Sequence, residues 1–218
     1  MMNTLSIPRI AALPETAADV PQMFEALNVP FTPIATLNWP NDFPYRPDAA
    51  FRMAWCPEGV VLHYRVSEQN VRASVGEDDG CVWTDSCVEC FIRNAESNTY
   101  YNIECNCVGK LLIGLRGEDV GRRRMPHEVL EQVKRWASLG TDTFGDKDEP
   151  TTWELALVIP ASVFASYPIH LEEGVTLRAN FYKCGDEQIT PHYISWNPIA
   201  TEKPNFHRPE CFGEVTLA

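Results

Sequence analysis

Most of the chain alternates apolar and polar residues with a period of two, which is the pattern of β-strands that bury one face. The alternation is clearest over residues 60–66 and 175–183, where Val175, Leu177, Ala179 and Phe181 share the apolar face. The other predicted strands are residues 86–92, 101–107, 110–115, 153–159 and 213–217. Many short strands with turn residues between them predict an all-β domain, a sandwich or a barrel.

Helical periodicity is confined to short segments. Residues 126–138 place Val129, Leu130, Val133 and Trp136 on one helical face, although the half from residue 134 to 139 also fits a strand. A second short helix is predicted after Pro160, over residues 161–167.

Domain organisation is predicted to be simple. Residues 1–45 are rich in proline and poor in periodicity, so we expect an N-terminal arm laid across one domain that spans residues 1–218. The sandwich itself is then residues 46–218. A chain of 218 residues can bury a large core without a metal or disulfide staple.

Net charge and hydropathy exclude several classes of partner. The formal charge of −12 argues against nucleic acid, which requires clustered Lys and Arg. The basic run from Arg122 to Arg124 lies beside Glu118 and Asp119 and is interpreted as a solvated loop. The sequence has neither a run of about 18 apolar residues nor a signal-like N-terminus, so we expect no membrane association and a cytoplasmic location.

The cysteines are the first candidates for chemistry. Without a secretion signal, all eight are expected as reduced thiols. Cys87 and Cys90 diverge on a strand, and Cys105 and Cys107 share its apolar face, so small buried side chains are favoured over zinc ligands. A site from His192 and His207 with Cys184 and Cys211 is a weaker alternative. We therefore predict no metal cofactor apart from calcium, for which the run Glu77-Asp78-Asp79 is a candidate beside the simpler reading of a solvated turn.

Catalytic motifs are missing from the sequence. It has no Gly-x-Ser-x-Gly elbow and no phosphate-binding loop. Glu89 and Glu104 project from the polar faces of predicted neighbouring strands, where two carboxyl groups could hydrolyse a glycosidic bond or could simply form ion pairs.

Two tryptophans stand outside the strand alternation. Trp83 precedes a strand beside Thr84 and Asp85, and Trp196 enters a proline-rich loop. An indole beside polar groups suits a sugar ring, which offers one apolar face and a rim of hydroxyls. Core or surface packing is the alternative for each.

Four separated segments resemble family 9 carbohydrate-binding modules, in particular their stand-alone bacterial relatives. The segments are residues 82–92 (VWTDSCVECFI), residues 100–106 (YYNIECN) followed by Gly109, residues 153–160 (WELALVIP), and the run from residue 178 (RANFYKCGD) to Phe212-Gly213. The resemblance covers roughly residues 45–218.

The resemblance implies a two-sheet antiparallel β-sandwich with one to three short helices that binds a mono- or oligosaccharide without catalysis. It implies a sugar slot between Trp83 and Trp196, with Glu89 bonding sugar hydroxyls. Asn106, Lys110 and Lys183 are further candidate contacts. A hydrolase using Glu89 and Glu104, or an interaction scaffold that has lost sugar binding, are the alternatives.

Overall fold

The computed structural model describes residues 2–218. Strands account for 43% of the residues and helices for 11%, so the predicted all-β class is confirmed. The first eight strands are β1 (Thr4–Ile7), β2 (Thr32–Pro33), β3 (Thr36–Leu37), β4 (Asp48–Cys56), β5 (Gly59–Glu68), β6 (Val71–Ala73), β7 (Cys87–Asn94) and β8 (Tyr100–Asn106). The second eight are β9 (Leu111–Gly117), β10 (Gly121–Arg124), β11 (Lys134–Ala137), β12 (Phe144–Lys147), β13 (Thr151–Pro160), β14 (Thr176–Gly185), β15 (His192–Ser195) and β16 (Gly213–Leu217).

Helices are short and lie between the strands. Two are α-helices, α1 (Val20–Ala26) and α2 (His127–Leu130). Single 3-10 turns occur at Ala17–Asp19, Val82–Thr84, Ala161–Phe164 and Pro209–Cys211. Among residues 2–218, no helix combines the length and the apolar composition that crossing a bilayer would require.

Two sheets make up the sandwich. The larger has nine strands in the order β1-β16-β14-β7-β8-β9-β10, with β15 on β14 and β3 on β15. The smaller runs β11-β13-β5-β4-β2, and β12 pairs separately with β6. Most pairings are antiparallel, and β1 lies parallel to β16. The two-sheet antiparallel sandwich implied by the family resemblance is therefore confirmed.

The core between the sheets follows from the alternation. On β7, Val88, Cys90 and Ile92 point inward and are almost fully buried. Phe51 of the smaller sheet and Phe181 of the larger stack with ring centroids 3.6 Å apart, which joins the two layers at their centre. Burial of each large aromatic of this kind contributes about 1.5–3 kcal/mol.

The outer face of the larger sheet is also apolar in part, and this is where the fold departs from a simple sandwich. Phe91 of β7, Tyr100 of β8 and Tyr182 of β14 form a second cluster with Phe206 and Phe212. Phe206 lies over Tyr182 with centroids 4.2 Å apart, so the chain after β15 folds back over this face. The fold-back leaves a cavity over β7, β8 and β9.

The N-terminal segment is more integrated than an arm. It contributes β1 to the edge of the larger sheet, β2 to the smaller sheet and β3 beside β15. Its helix α1 buries Val20 and Phe24 against the outer face of the smaller sheet. These short strands were not predicted from the sequence, because the segment is rich in proline. Proline lacks a backbone N–H, but an edge strand tolerates this because one of its sides has no hydrogen-bonding partner.

The segment predicted as a helix over residues 126–138 splits in two. Only α2, His127–Leu130, is helical, and Lys134–Ala137 forms β11 along the edge of β13. The strand alternative for the second half is therefore confirmed. Pairing with an open sheet edge satisfies the backbone there and overrides the helical spacing of the apolar residues.

Candidate functional site

A cavity of about 470 Å³ opens on the outer face of the larger sheet. Its floor consists of side chains from β7, β8 and β9 that point away from the core. Its walls are Trp83, Tyr193 and Phe206, and a row of arginines from β9 and β10 lines one side. Its size and its mixture of apolar and polar groups are those of a small-molecule site.

Two carboxyl groups dominate the floor. Glu89 of β7 and Glu104 of β8 are direct cross-strand partners, and they are 3% and 4% exposed. Cβ atoms in such pairs lie about 5 Å apart. The Asn102 side-chain amide donates to Glu104 Oε1 at 2.8 Å, and the Cys184 thiol donates to Glu89 Oε1 at 3.1 Å. The sequence prediction that these two acids lie on neighbouring strands is confirmed.

Burial sets the ionisation of these acids. Burial, together with the neighbouring Cys184, Glu104 and Asp186 groups, raises the pKa of Glu89 well above its ordinary value. Burial raises the pKa of Glu104 to about 7, against the opposing hydrogen bond from Asn102 and the charges of Arg116 and Arg124. The pKa of Asp186 at the cavity wall rises to about 6, again mainly through burial. Near neutral pH the floor therefore offers both protonated and ionised carboxyls, which can donate to and accept from hydroxyl groups.

One floor group is left with an unused acceptor. The side-chain oxygen of Asn102 is buried and has no hydrogen-bond partner within the described residues. Gly114 on β9 makes room for this amide, because a Cβ there would overlap the Asn102 oxygen and come within 2.8 Å of its nitrogen. A buried unsatisfied oxygen costs about 1–3 kcal/mol, so a ligand hydroxyl donating to it would be well placed.

The walls are aromatic. Trp83 is half-buried, and the Arg124 guanidinium lies 5.9 Å from its ring centroid. The Asp186 amide donates to the Trp83 carbonyl at 3.1 Å, which ties this 3-10 turn to the end of β14. Tyr193 and Phe206 stand at 72° with centroids 6.2 Å apart. Rigid aromatic walls of this kind suit the C–H face of a ring.

His207 completes the cavity on the side of Phe91. Its ring stacks on Phe91 with centroids 4.9 Å apart, and its Nδ1 lies 3.0 Å from the Tyr100 hydroxyl. Burial and the nearby charges of Arg116 and Arg122 lower the pKa of His207 to about 3. The imidazole is therefore neutral at physiological pH.

The prediction of a solvated loop for the basic run 122–124 is wrong, because these residues lie in strand β10. Its residues are exposed, and Arg122, Arg123 and Arg124 line the cavity together with Arg116 of β9. Hydrogen bonds to β9 hold the run in an extended conformation. The charges of neighbouring residues, on which the loop prediction is based, carry no information about this pairing.

Of the six predicted contact residues, the structure brings Trp83 and Glu89 to the cavity. Trp196 is 5% exposed and packs edge-on against Phe51 and Phe181 in the core, with centroids 6.1 and 5.7 Å apart. A slot between Trp83 and Trp196 is therefore wrong for this chain. The reason is strand parity: Trp196 lies two residues after the core residue Ile194, and so points inward, whereas Tyr193 points to the cavity.

Lys183 is also an inward residue. It continues the alternation of Leu177, Ala179 and Phe181 on β14, and its fully buried ammonium lies 2.8 Å from Glu68 and 2.7 Å from His192. Its role as a sugar contact is contradicted by this position. The ion pair instead satisfies a polar pocket between the two sheets.

Asn106 and Lys110 also lie away from the cavity. Asn106 is fully buried and donates to Asp85 at 2.9 Å, while its side-chain oxygen accepts from the Lys110 backbone at 2.8 Å. It therefore shapes the turn after β8. Lys110 is half-buried in that turn and does not line the cavity.

Several cavity residues escaped the sequence analysis. They are Asn102, Asp186, Tyr193, Phe206, His207 and the arginines of β9 and β10. Asn102 carried a signal, because it shares the outward face of β8 with Glu104. Phe206 and His207 lie in a proline-rich segment without periodicity, and only the tertiary fold places them.

Potential metal ligands converge at one point within residues 2–218. The sulfurs of Cys87 and Cys184 and a Glu89 oxygen lie within 4.8 Å of one another, and all three residues are buried. Burial raises the pKa of Cys87 to about 12, so this thiol holds its proton. All eight cysteines are free thiols in the structure.

The acidic residues of the candidate calcium turn form ion pairs with arginines. Asp78 lies 2.6 Å from Arg135, and Asp79 lies 3.3 Å from Arg124. Calcium binding at this turn stays a prediction.

Fold and cavity together define a β-sandwich with a ligand-sized site on the outer face of one sheet. The sequence model of Carbohydrate-binding family 9 matches residues 18–217, and the chain belongs to that family. The family resemblance read from the four segments is therefore confirmed. A search of the curated proteins found no significant match.

Solved structures give the same picture of the fold. A candidate carbohydrate-binding protein from Bacteroides uniformis is 40% identical, with 100% of both chains covered and a TM-score of 0.94. A family 9 carbohydrate-binding module from Caldicellulosiruptor kristjanssonii in complex with cellotriose is 11% identical, with 99% of this chain and 93% of the module covered and a TM-score of 0.54. A family 9 module of the same organism in complex with glucose is 12% identical, with 99% and 96% covered and a TM-score of 0.54.

Proposed function

We propose that this protein binds a mono- or oligosaccharide in the cavity over β7, β8 and β9, and that it does so without catalysis. The observation that supports this most strongly is the combination of aromatic walls and a buried polar floor in one cavity of about 470 Å³. Membership of Carbohydrate-binding family 9 supports the same class of ligand.

Each part of the cavity has a role in this proposal. A pyranose ring lies with its C–H face against Trp83, and Phe206 or Tyr193 closes the other side. The floor groups Glu89, Glu104 and Asn102 bond its hydroxyls. Hydrogen bonds to charged groups contribute about 1.5–3 kcal/mol each, and so they set which hydroxyl pattern is accepted.

Hydrolysis is the second candidate, because two acids with raised pKa values share the floor. A glycosidase needs one ionised carboxylate and one protonated acid on either side of the bond to be cleaved. Glu89 and Glu104 instead stand side by side on one surface of the sheet, which favours joint recognition of hydroxyls. Binding is therefore the preferred assignment.

The experiment is calorimetric titration of the purified protein with glucose, cellobiose and cellotriose, alongside a glycan panel. Glucose-terminated sugars are the first probes because the two Caldicellulosiruptor modules were solved with glucose and cellotriose. We expect saturable binding that is weakened in Glu89→Gln and kept in Glu128→Gln, an exposed residue of α2. Product analysis of the same mixtures tests hydrolysis. If the protein binds no member of the panel, the proposed function is contradicted. If the wild-type protein cleaves one of the sugars and Glu89→Gln does not, hydrolysis replaces binding as the function.

A further inference from the structure

Four arginines border one side of the cavity. Arg116 of β9 and Arg122 and Arg124 of β10 share the cavity face of the sheet, whereas Arg123 pairs with the core residue Leu115 and therefore points to the other face. The whole chain has 18 basic residues and a formal charge of −12, so this concentration of positive charge runs against its overall composition.

Most of this charge is not matched by the protein. Within residues 2–218, Arg124 is the one member of the group with an acidic side chain in ion-pair range, namely Asp79 at 3.3 Å. Arg116, Arg122 and Arg123 make no ion pair there and no side-chain hydrogen bond. The floor carboxyls Glu104 and Glu89 act to raise the pKa of Arg116 without forming an ion pair with it.

The arrangement also costs stability. Arg116 and Arg122 are direct cross-strand partners, and like charges placed directly opposite on a sheet repel. Burial and the charge of Arg122 lower the pKa of Arg116. Burial, together with the charges of Arg116 and Arg122, lowers the pKa of His207 to about 3, so its imidazole is neutral beside them. Two arginines at paired strand positions, with no carboxylate in ion-pair range among the described residues, form a ready site for a carboxylate or a phosphate group.

We propose that the saccharide bound in this cavity is acidic, and that its anionic group, a carboxylate or a phosphate, is held between Arg116 and Arg122. This inference rests on the proposed function and specifies its ligand class. The aromatic walls and the Glu89–Asn102 floor hold the ring, and the arginines select sugars that carry the charge.

The test compares the affinities of glucose, glucuronate and glucose 6-phosphate at low and moderate salt, with inorganic phosphate as a fourth ligand. We expect at least one of the two acidic sugars to bind about tenfold or more tighter than glucose, since charge-assisted hydrogen bonds exceed neutral ones. Added salt should reduce this advantage. The stronger of the two acidic sugars identifies the anionic group.

Variants locate the effect. Arg116→Gln and Arg122→Gln should each remove most of this advantage, measured in each variant as the ratio of the affinity for the acidic sugar to the affinity for glucose. Arg46→Gln, an exposed arginine outside the cavity, is the matched control and should change nothing. Because Arg122 is exposed, its variant tests the idea even if loss of Arg116 impairs folding.

Other outcomes would overturn the inference. If glucose binds and the acidic sugars bind no better, the cavity recognises neutral sugars and the proposed function stands alone. If inorganic phosphate binds as tightly as the acidic sugars, the site holds an anion without a sugar. If these three sugars do not bind but a member of the glycan panel does, the inference fails and the proposed function stands. If neither these sugars nor any member of the panel binds, the proposed function fails, and the inference fails with it.

Discussion

Glu89 and Glu104 face each other directly across β7 and β8, and each is at least 96% buried. Two acids in this arrangement are costly, because burial and mutual repulsion both disfavour ionisation. A core built for stability would place apolar side chains here, as Val88 and Ile103 are placed on the opposite face. The pair therefore supports the proposal that the outer face of the larger sheet is the binding surface.

Stability should fall as pH rises through the titration of Glu104. Its pKa is raised from 4.5 to about 7, so below about 4.5 the carboxyl is protonated in both folded and unfolded chains. Between those values the unfolded chain loses the proton and the folded chain keeps it, which lowers the free energy of unfolding. Glu104→Gln should therefore stabilise the protein at pH 8 more than at pH 5, as measured by urea unfolding. Glu128→Gln, at an exposed site, should give the same small effect at both pH values.

Trp83 and Trp196 should respond differently to truncation. Trp196→Ala removes a core side chain and should cost about 3–5 kcal/mol of unfolding free energy. Trp83→Ala removes a half-exposed wall, so the melting temperature should change little while sugar affinity falls about thirtyfold or more, roughly 2 kcal/mol. Calorimetric melting and sugar titration of both variants check this. Loss of sugar affinity in a stably folded Trp196→Phe protein with retention in Trp83→Ala would reverse the assignment.

The alternation of side chains along a strand explains which residues could be assigned to the core or to the outer face from the sequence alone. Alternation of Val88 with Glu89 on β7 placed both correctly, one in the core and one on the outer face. The same rule applied to Ile194 and Trp196 would have put the tryptophan inside, and the family resemblance overrode it. Arg122 and Phe206 could not be placed in this way, because their positions depend on contacts between segments distant in sequence.

Gly114 should be required for the floor of the cavity. Gly114→Ala forces the Asn102 amide to move, because the new Cβ overlaps its oxygen. We expect sugar affinity to fall about tenfold with a stability loss of about 1–3 kcal/mol. Gly145→Ala is the matched control, since a Cβ there meets nothing within 4 Å. Unchanged sugar binding in a folded Gly114→Ala protein would remove Asn102 from the site.

Lys183 should act on stability and not on the ligand. Lys183→Met leaves Glu68 buried without its cation, and removing one partner of a buried pair costs about 3–5 kcal/mol. The double variant with Glu68→Gln should recover part of this loss in urea unfolding. Lys203→Met, at an exposed position, is the control. If Lys183→Met keeps its stability and loses sugar affinity, the lysine belongs to the binding site after all.

The most direct measurement is the nitrogen–proton spectrum of the six tryptophan indoles during titration with cellotriose and then glucuronate. We expect the Trp83 resonance to shift until the sugar saturates the site, because the Trp83 ring forms a cavity wall. The resonances of the buried Trp55, Trp153 and Trp196 should stay in place and serve as internal controls. A saturable shift of the Trp196 resonance with no change at Trp83 would contradict a sugar site walled by Trp83. The same conclusion would follow if the Trp83 resonance did not shift with any sugar that binds.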